Sequence, residues 1–341
     1  MLEKLTIGII GAGRIGRMHA ENIVYIPNVK IKTISDLFVE NAKVWAEQIG
    51  IQNVTTNYQD ILNDPEIDAI FICSPTSTHG SIIKEAARAG KHIFCEKPVS
   101  FSTEETKEAL EVVKEAGVKL QVGFNRRFDP NFKKVHDTVK EGKVGEPHIL
   151  KITSRDPEPP PAEYIKNSGG LFFDMAIHDY DMARYVIGSE VEEVYVQGVN
   201  LVDPIFEQLG DIDTAMTILK FENGAIGVID NSRKAVYGYD QRLEVFGSKG
   251  SVTAQNEHPT NVEISTEDGV YKDKLKHFFL DRYKEAYMIE THAFIDSILN
   301  DKPLVCIGND GLQAELIAKA ARESFETGKP IKLIREEYSF I

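Results

Sequence analysis

The stretch LTIGIIGAGRIGRMHAENI, residues 5–23, decides the fold of the first part of the chain. It runs from apolar residues through a glycine-rich turn to apolar residues at helical spacing, which predicts a strand, a turn and a helix. The turn has the spacing G-x-G-x-x-G. In this pattern the first glycine permits a tight turn, the second lets the backbone approach a pyrophosphate, and the third lets the helix pack against the strand. The residues predicted to bind a dinucleotide here are Gly11, Gly13, Arg14, Ile15 and Gly16.

An acidic residue stands where such a unit needs one. A second apolar run, VKIKTIS at 29–35, is followed by Asp36, twenty residues after Gly16. A carboxylate at this point accepts hydrogen bonds from a ribose 2′-hydroxyl and repels a 2′-phosphate, so the pattern predicts NAD rather than NADP. In the structural alternative, the glycines only form a turn and Asp36 caps the helix that follows. Asp36 can do both.

Strands and helices keep alternating up to residue 123, which predicts a doubly wound parallel sheet, the Rossmann arrangement. Ligands of such sheets lie beyond the carboxyl ends of the strands. Two predicted strand ends carry polar segments, ICSPTSTHG at 72–80 and FCEKPVS at 94–100, and we expect both to face the cofactor. The residues predicted to bind it there are Ser74, Pro75, Thr76, His79, Glu96 and Lys97.

Lys97 is also a candidate for the chemistry. It follows a strand with a buried pattern and precedes Pro98, which stiffens the turn. A partly desolvated ammonium gives up its proton more readily than a solvated one. A solvated loop lysine is the alternative, and the position at a strand end favours the functional interpretation.

The pattern changes after Phe124. Residues 190–265 contain successive apolar runs with the turns ENG and GSKG and little helix between them, which predicts a large, mostly antiparallel sheet. One face should pack on a helix formed by residues 169–187, and the open face should be available to another subunit. The expected fold class is α/β. It combines an N-terminal Rossmann domain, residues 1–123, with a C-terminal α+β domain, residues 124–341, for substrate binding and oligomerisation.

The segment GGLFFDMAIHDYDMARYVIG, residues 169–188, places ionisable residues in an apolar helix. Offsets of four and three put Asp174, His178 and Asp181 on one face, while Asp179 points about 100° away. That face can be an ion network, a metal site or an acid/base centre. Histidine suits proton transfer near neutral pH. Asp174 can orient the ring or accept a substrate hydroxyl, and Asp181 can hold the far side of the imidazole.

Composition disfavours several kinds of partner. The chain has 341 residues, enough for two cores, and a formal charge of -14, which disfavours nucleic acids and anionic membranes. Its first residues lack a basic region and a cleavage site, and no apolar run approaches the roughly 20 residues that span a bilayer. We therefore expect a cytoplasmic protein. Cys73, Cys95 and Cys306 show no CxxC spacing, so we expect reduced core residues.

Several motifs together resemble the Gfo/Idh/MocA family of oxidoreductases along essentially the whole chain. They are GAGRIG, CEKP, GFNRRFDP, the helix with Asp174 and His178, and YGYDQRLEVFGSKG. Within that family, the run GFNRRFD, the Asp-x-x-x-His-x-x-Asp helix, YGYD and the segment DRYKEAYMIETHAFIDSI resemble bacterial inositol 2-dehydrogenases. The resemblance implies a nicotinamide bound by the first domain and a polyol held against the second.

The resemblance also implies roles for individual residues. Lys97, Asp174 and His178 would grip the reacting hydroxyl, with Lys97 and His178 removing its proton and Asp174 supporting them. The residues implied around the substrate are Lys97, Asp156, Asp174, His178, Tyr239 and Tyr287, and Arg127 is implied near the nicotinamide. No metal is implied.

The implied function is the NAD-dependent oxidation of a cyclic polyol, myo-inositol to its 2-keto form, by a homotetramer. Two alternatives stay open. One is oxidation of another sugar or inositol epimer, such as scyllo-inositol, glucose, or a deoxy or amino sugar. The other is a non-catalytic regulator that binds a dinucleotide, against which the intact Lys97, Asp174 and His178 argue. One departure from the inositol enzymes is the longer, proline-rich stretch 157–170, which would border the substrate.

Overall fold

The computed structural model describes residues 4–333, and its contacts divide them into two compact units. The first unit contains residues 4–125 and 287–315, and the second contains residues 126–286 and 316–333. The chain therefore returns to its first unit late in the sequence. The domain boundary between residues 123 and 124 remains a prediction. Residues 334–341, which the sequence analysis assigned to the second domain, lie outside the described residues.

Six parallel strands form the sheet of the first unit, in the order β3-β2-β1-β4-β5-β6. The strands are β1 Leu5–Ile10, β2 Val29–Ser35, β3 Asn53–Thr55, β4 Ala69–Ile72, β5 His92–Glu96 and β6 Leu120–Gly123. β1 pairs in parallel with both β2 and β4, so the strand order reverses next to the glycine-rich turn that follows β1. The predicted doubly wound parallel sheet is confirmed.

The helices between these strands follow the alternation that the sequence predicts. They are α1 Arg14–Ile23, α2 Val39–Gln48, α3 Gln59–Leu62, α4 His79–Arg88 and α5 Thr103–Ala116. At the start of α5 the Ser102 hydroxyl accepts the amide of Glu105, and at its end Gly117 takes a left-handed φ of 66°. The core of this unit includes Phe71 and Phe94, neither of which is exposed.

A seven-stranded sheet forms the second unit, in the order β12-β11-β7-β10-β9-β8-β15. Its strands are β7 Pro147–Arg155, β8 Val191–Val199, β9 Thr214–Phe221, β10 Ile226–Ser232, β11 Asp240–Gly247, β12 Gly250–Ala254 and β15 Ile331–Lys332. Every neighbouring pair is antiparallel except β7 and β10, which confirms the predicted sheet. β13 Glu263–Thr266 and β14 Gly269–Lys272 form a separate hairpin.

One face of this seven-stranded sheet is covered by a helix, and the other is open. A π-helical turn, Phe172–Ala176, leads into α8 Ile177–Ile187. Tyr180 is wholly buried, and its hydroxyl lies 3.5 Å from the Thr217 hydroxyl on β9. Helical cover of one face is therefore confirmed. On the other face Ile218 is 50% exposed, and contact of that face with another subunit remains a prediction.

The other helices complete the two units. They are α6 Pro130–Lys140, α7 Ala162–Asn167, α9 Ile205–Gln208, α10 Phe279–Arg282, α11 Lys284–Leu299 and α12 Gly308–Thr327. Of these, α11 and α12 are the longest, with 16 and 20 residues. Among residues 4–333, no helix is both long and apolar enough to cross a membrane.

The three cysteines are not in disulfides. Cys95 and Cys306 are buried, as predicted for core residues, whereas Cys73 is only half-buried. Cys73 follows β4 beside the glycine-rich turn, where a Cβ on Gly11 would lie 2.6 Å from the Cys73 backbone. It packs, partly buried, against the core of the first unit.

Candidate active site

The glycine-rich turn after β1 has the geometry that the motif predicts. Gly11 has a φ of +100°, a backbone conformation that L side chains rarely adopt. A Cβ on Gly16 would lie 1.9 Å from the Gly11 carbonyl oxygen, so α1 packs directly against the turn. A Cβ on Gly13, by contrast, would meet no atom within 4 Å. This open space at the N-terminus of α1 fits a pyrophosphate that approaches the backbone.

Asp36, directly after β2, forms hydrogen bonds with this turn. Its Oδ2 accepts the amide of Ala12 at 2.6 Å, and its Oδ1 accepts the amide of Phe38 at 2.8 Å. The carboxylate therefore supports both the turn and the residue that precedes α2. Leu37 and Phe38 are 81% and 75% exposed and offer no positive charge to a 2′-phosphate. The arrangement fits the adenosine ribose of NAD.

His79 ties together the two polar segments that follow β4 and β5. Its Nδ1 lies 2.8 Å from the Pro98 carbonyl oxygen, and its Nε2 lies 2.8 Å from the Ser74 carbonyl oxygen. Burial lowers the pKa of His79, while its hydrogen bonds to the two carbonyl oxygens oppose that change. The predicted cofactor residue His79 thus has a structural task, and direct contact with the dinucleotide remains a prediction.

The other residues predicted to bind the cofactor in the first unit lie at the carboxyl ends of the strands or at the start of α1. Arg14 and Ile15 open α1, Ser74 to Thr76 follow β4, Glu96 ends β5, and Lys97 comes directly after it. Lys97 is half-buried. Such positions are where doubly wound sheets bind ligands, and the individual contacts remain predictions.

A buried cluster that the sequence analysis did not single out surrounds Glu96. The Nε2 atom of His19 lies 3.0 Å from Glu96 Oε1, and its Nδ1 atom lies 2.8 Å from the Thr291 hydroxyl. Glu290 is not exposed, and neither of its carboxyl oxygens has a hydrogen-bond partner among the described residues. Burial and the nearby charge of Glu96 raise the pKa of Glu290 well above its ordinary value. We therefore assign a neutral carboxyl group to Glu290.

This same cluster has the spacing of metal ligands. Within residues 4–333, the ligand atoms of His19, Glu96 and Glu290 lie within 4.8 Å of one another. Both ring nitrogens of His19 are already in hydrogen bonds, so hydrogen bonding and a proton on Glu290 account for the cluster. Asp174, His178 and Asp181, the metal alternative raised by the sequence, do not form such a group in the described part of the chain.

In the second unit, Arg233 joins two of the predicted substrate residues. Its Nη1 lies 3.1 Å from Oδ2 of Asp156, and its Nη2 lies 3.0 Å from Oδ2 of Asp174. The other oxygen of Asp174 accepts the Tyr164 hydroxyl at 2.8 Å. Burial raises the pKa of Asp156, and the positive charge of Arg233 opposes that rise. The array presents two oriented carboxylates with one shared cation, a pattern suited to hydroxyl groups.

Asp174 lies in the π-helical turn 172–176, not in the regular α-helix that the sequence predicts over 169–187. A π turn closes its hydrogen bonds over five residues instead of four. The regular α-helix predicted over 169–187 is therefore corrected at residues 172–176, and the common face of Asp174, His178 and Asp181 remains a prediction. His178 follows as the second residue of α8 and is half-buried.

The other acidic residues of α8 have arginine partners. Asp181 accepts two hydrogen bonds from Arg127, at 2.8 and 2.6 Å, whereas Asp179 is bonded to Arg126 and, at 2.8 Å, to Asn231 on β10. The two carboxylates thus serve an ion network, one of the alternatives that the sequence left open. The predicted nicotinamide contact of Arg127 and the predicted support of His178 by Asp181 remain predictions.

The two predicted substrate tyrosines lie in different units. Tyr239 is buried in the second unit, with its ring 6.0 Å from the ring of Tyr283. Tyr287 is buried in the first unit, with its ring 6.0 Å from the ring of His19. Their contact with a substrate remains a prediction.

Sequence reasoning missed Arg233 and Tyr164, which hold Asp174. Arg233 follows β10 in the segment NSRKA, a pattern typical of a surface turn with a basic residue. Tyr164 lies in α7, within the proline-rich stretch 157–170 that the sequence marked as unusual. That departure was the signal available for Tyr164, and the sequence offered no comparable signal for Arg233.

These features define the class of protein. A doubly wound parallel sheet, an open space for pyrophosphate beside Gly13 and a carboxylate at Asp36 form a dinucleotide-binding unit. The second unit adds a carboxylate and arginine array next to a helical histidine. Together they describe a nicotinamide-dependent oxidoreductase.

Family comparison then gives the particular group. Residues 5–124 match the model of the oxidoreductase family GFO/IDH/MocA with its NAD-binding Rossmann fold, and residues 132–253 match the C-terminal domain model of the same family. The chain belongs to this family, which confirms the resemblance, and NAD is the cofactor of its first unit.

Known relatives match along the whole chain. An oxidoreductase of Bacillus subtilis strain 168, YrbE, described as uncharacterized, is 59% identical over 99% of this chain and 99% of its own. The myo-inositol 2-dehydrogenase of Thermotoga maritima is 46% identical over 96% of this chain and 98% of its own. The crystal structure of scyllo-inositol dehydrogenase from Lactobacillus casei with NAD(H) and scyllo-inositol is 32% identical, with a TM-score of 0.91, covering 96% of this chain and 99% of that one.

Proposed function

We propose that this protein oxidises one hydroxyl of a cyclic polyol with NAD, converting myo-inositol to its 2-keto form. One observation carries the proposal: Asp174 is held at both oxygens, by Arg233 at 3.0 Å and by Tyr164 at 2.8 Å. A carboxylate fixed in this way is preorganised to accept hydrogen bonds from vicinal hydroxyls. The whole-chain similarity to a myo-inositol 2-dehydrogenase supports the choice of polyol.

The chain's own residues bind the polyol and move one proton. Asp156 and Asp174 accept hydrogen bonds from hydroxyls that do not react, and Arg233 keeps both carboxylates in place. The turn at Gly13 and the carboxylate of Asp36 would hold NAD, which would supply the acceptor for the hydride of the carbinol carbon. His178 takes the hydroxyl proton as the carbonyl forms, because imidazole exchanges protons near neutral pH. Lys97 binds and polarises the same oxygen, and Tyr239 and Tyr287 border the substrate.

A panel of polyols tests this proposal directly. Purified protein is mixed with NAD or NADP and myo-inositol, scyllo-inositol, glucose or an amino sugar, and reduced nicotinamide is followed by absorbance. We expect the highest kcat/KM with NAD and myo-inositol. Preference for scyllo-inositol would favour oxidation of that epimer as the function. The similarity to a scyllo-inositol dehydrogenase supports this second candidate. NAD binding without turnover of any polyol would contradict both and favour a regulator.

We also propose that the protein works in the cytoplasm and forms a homo-oligomer, with a homotetramer as the favoured state. The open face of the second sheet, with Ile218 half exposed and Phe246 at 46%, supports self-association, since large apolar patches mark contact surfaces. Light scattering coupled to gel filtration measures the mass of the particle. A monomer at micromolar concentration would contradict this part of the proposal.

A further inference from the structure

We propose that Glu315 is a positioning residue for Lys97. Its buried carboxyl group holds the loop that follows Lys97 in the conformation that the reaction needs. This inference rests on the proposed role of Lys97 in polyol oxidation. Glu315 lies in α12, far along the chain from the loop of the first unit that it would hold.

The contacts of Glu315 converge on this loop. Glu315 is not exposed. Its Oε1 accepts the backbone amide of Val99 at 2.8 Å and that of Ser100 at 3.1 Å, and its Oε2 accepts the Thr106 hydroxyl at 2.6 Å. One carboxyl group therefore satisfies two consecutive amides of the loop and a hydroxyl of α5.

The same loop is held from its other side. The Pro98 carbonyl oxygen lies 2.8 Å from Nδ1 of His79, and the Ser100 hydroxyl donates to Glu105 at 2.6 Å. Three consecutive residues after Lys97 are thus fixed by buried or half-buried partners. A fixed loop keeps the backbone next to Lys97 in one conformation, so less backbone entropy is lost when its ammonium meets a hydroxyl.

The protonation state of Glu315 suggests a matched pair of substitutions. Burial raises the pKa of Glu315 to about 8, so the group is largely neutral at pH 7. Glutamine has the shape of a neutral carboxyl group, and its amide oxygen can accept the same two loop amides. Leucine has a similar volume but no acceptor, so it leaves the amides of Val99 and Ser100 buried without a partner.

A control substitution beside the same carboxyl group distinguishes an effect on the position of the loop from an effect on the stability of the first unit. Thr106→Val removes the hydrogen bond to Oε2 and leaves both loop amides bonded to Oε1. Thr106 is not exposed, so this substitution also destabilises the first unit. It should lower the melting temperature without releasing the loop.

The experiment compares E315L, E315Q and T106V in the full chain at pH 7 and well below their melting temperatures. It measures kcat and KM for the polyol, the Kd of NAD, and hydrogen exchange of the amides of Val99 and Ser100. We expect E315L to lower kcat by about tenfold or more, with the Kd of NAD changed by less than about twofold. Exchange of both amides should be faster in E315L, while E315Q and T106V keep kcat near wild type.

Three results would overturn the inference. Unchanged amide exchange in E315L would show that the loop does not depend on Glu315. Normal kcat in E315L with fast exchange would show that loop order does not matter to Lys97. An equal loss of kcat in T106V and E315L would assign the effect to stability. A wild-type protein that oxidises no polyol would overturn the proposed function itself, which the exchange measurement distinguishes because it needs no turnover.

Discussion

The Nη2 atom of Arg233 lies 3.0 Å from Oδ2 of Asp174, and their side chains are only 3% and 11% exposed. The pair fixes a carboxylate that the proposed mechanism uses to bind the polyol, and the family resemblance also implies that this carboxylate supports His178. Asp174→Asn keeps the shape of the side chain and removes its charge. We expect it to raise KM for the polyol and to lower kcat, each by about tenfold or more, because binding and proton transfer both lose a charged partner. Steady-state kinetics with saturating NAD measure both constants.

Tyr164→Phe is the matched control for that substitution. It removes one hydrogen bond to the other oxygen of Asp174 and leaves the bond from Arg233 in place. We expect a smaller rise in KM than in Asp174→Asn, since the carboxylate stays in place and only one hydrogen bond to it, worth about 1.5–3 kcal/mol for a charged acceptor, is lost. A larger effect of Tyr164→Phe than of Asp174→Asn would show that Tyr164, and not the carboxylate, binds the polyol.

Asp36→Ala should reduce the preference for NAD. The substitution removes the acceptor for the ribose 2′-hydroxyl and the negative charge that repels a 2′-phosphate. It also frees the amides of Ala12 and Phe38, so NAD binding should weaken by more than NADP binding improves. The ratio of kcat/KM with NAD to that with NADP is the measure. Equal use of both cofactors by the wild-type protein would contradict the assignment.

Lys97→Met should abolish most turnover and leave NAD binding nearly intact. The proposed ammonium acts on the substrate hydroxyl, and methionine keeps most of the apolar stem of the side chain without the charge. Thermal shift with NAD reports binding, and reduced nicotinamide reports turnover. If the stabilisation by NAD falls as far as turnover does, Lys97 belongs to the cofactor site and the mechanism is wrong.

His178→Asn should lower kcat by about 10²–10⁴-fold, the range for loss of a general base. Asparagine is polar and of similar size but does not titrate. In the wild-type protein, oxidation should rise with pH across the neutral range, because a histidine base must be deprotonated to act. The variant should lose this limb of the profile. Near-normal turnover in His178→Asn would leave a structural ion network as the better explanation of the helix.

Glu290→Gln should change how stability depends on pH. Burial raises the pKa of Glu290 in the folded protein well above its ordinary value. The folded state therefore keeps a proton that the unfolded state has lost, and stability falls as pH rises from the ordinary pKa towards the raised one. Glutamine has no such dependence.

The melting temperature of Glu290→Gln minus that of the wild type should therefore increase as pH rises above the ordinary pKa of a glutamate. Thermal unfolding followed by circular dichroism at several pH values gives this difference. A difference that stays constant across the range would show that Glu290 is ionised in the folded protein, which would require a cation beside it.

The sequence determined the parallel sheet of the first unit because its signals are local. A strand, three glycines with fixed conformational tasks and an acid at a set distance lie within residues 5–36, and local steric and burial rules suffice to read them. The strands of the second sheet that lie within residues 190–265 were equally predictable, since alternating burial and turn residues are properties of short segments.

The tertiary structure alone decided which distant groups meet. Arg233 reaches Asp156 across 77 residues, and Glu315 reaches Val99 across 216 residues. Sequence pattern reports the local period and polarity of a segment, but not which of many cations or acids will be its partner once the chain closes. The π turn at Asp174 was hidden for a related reason. A short π turn within a helix does not change the spacing of apolar residues enough to be recognised. The sequence pattern is therefore the same as that of a regular α-helix.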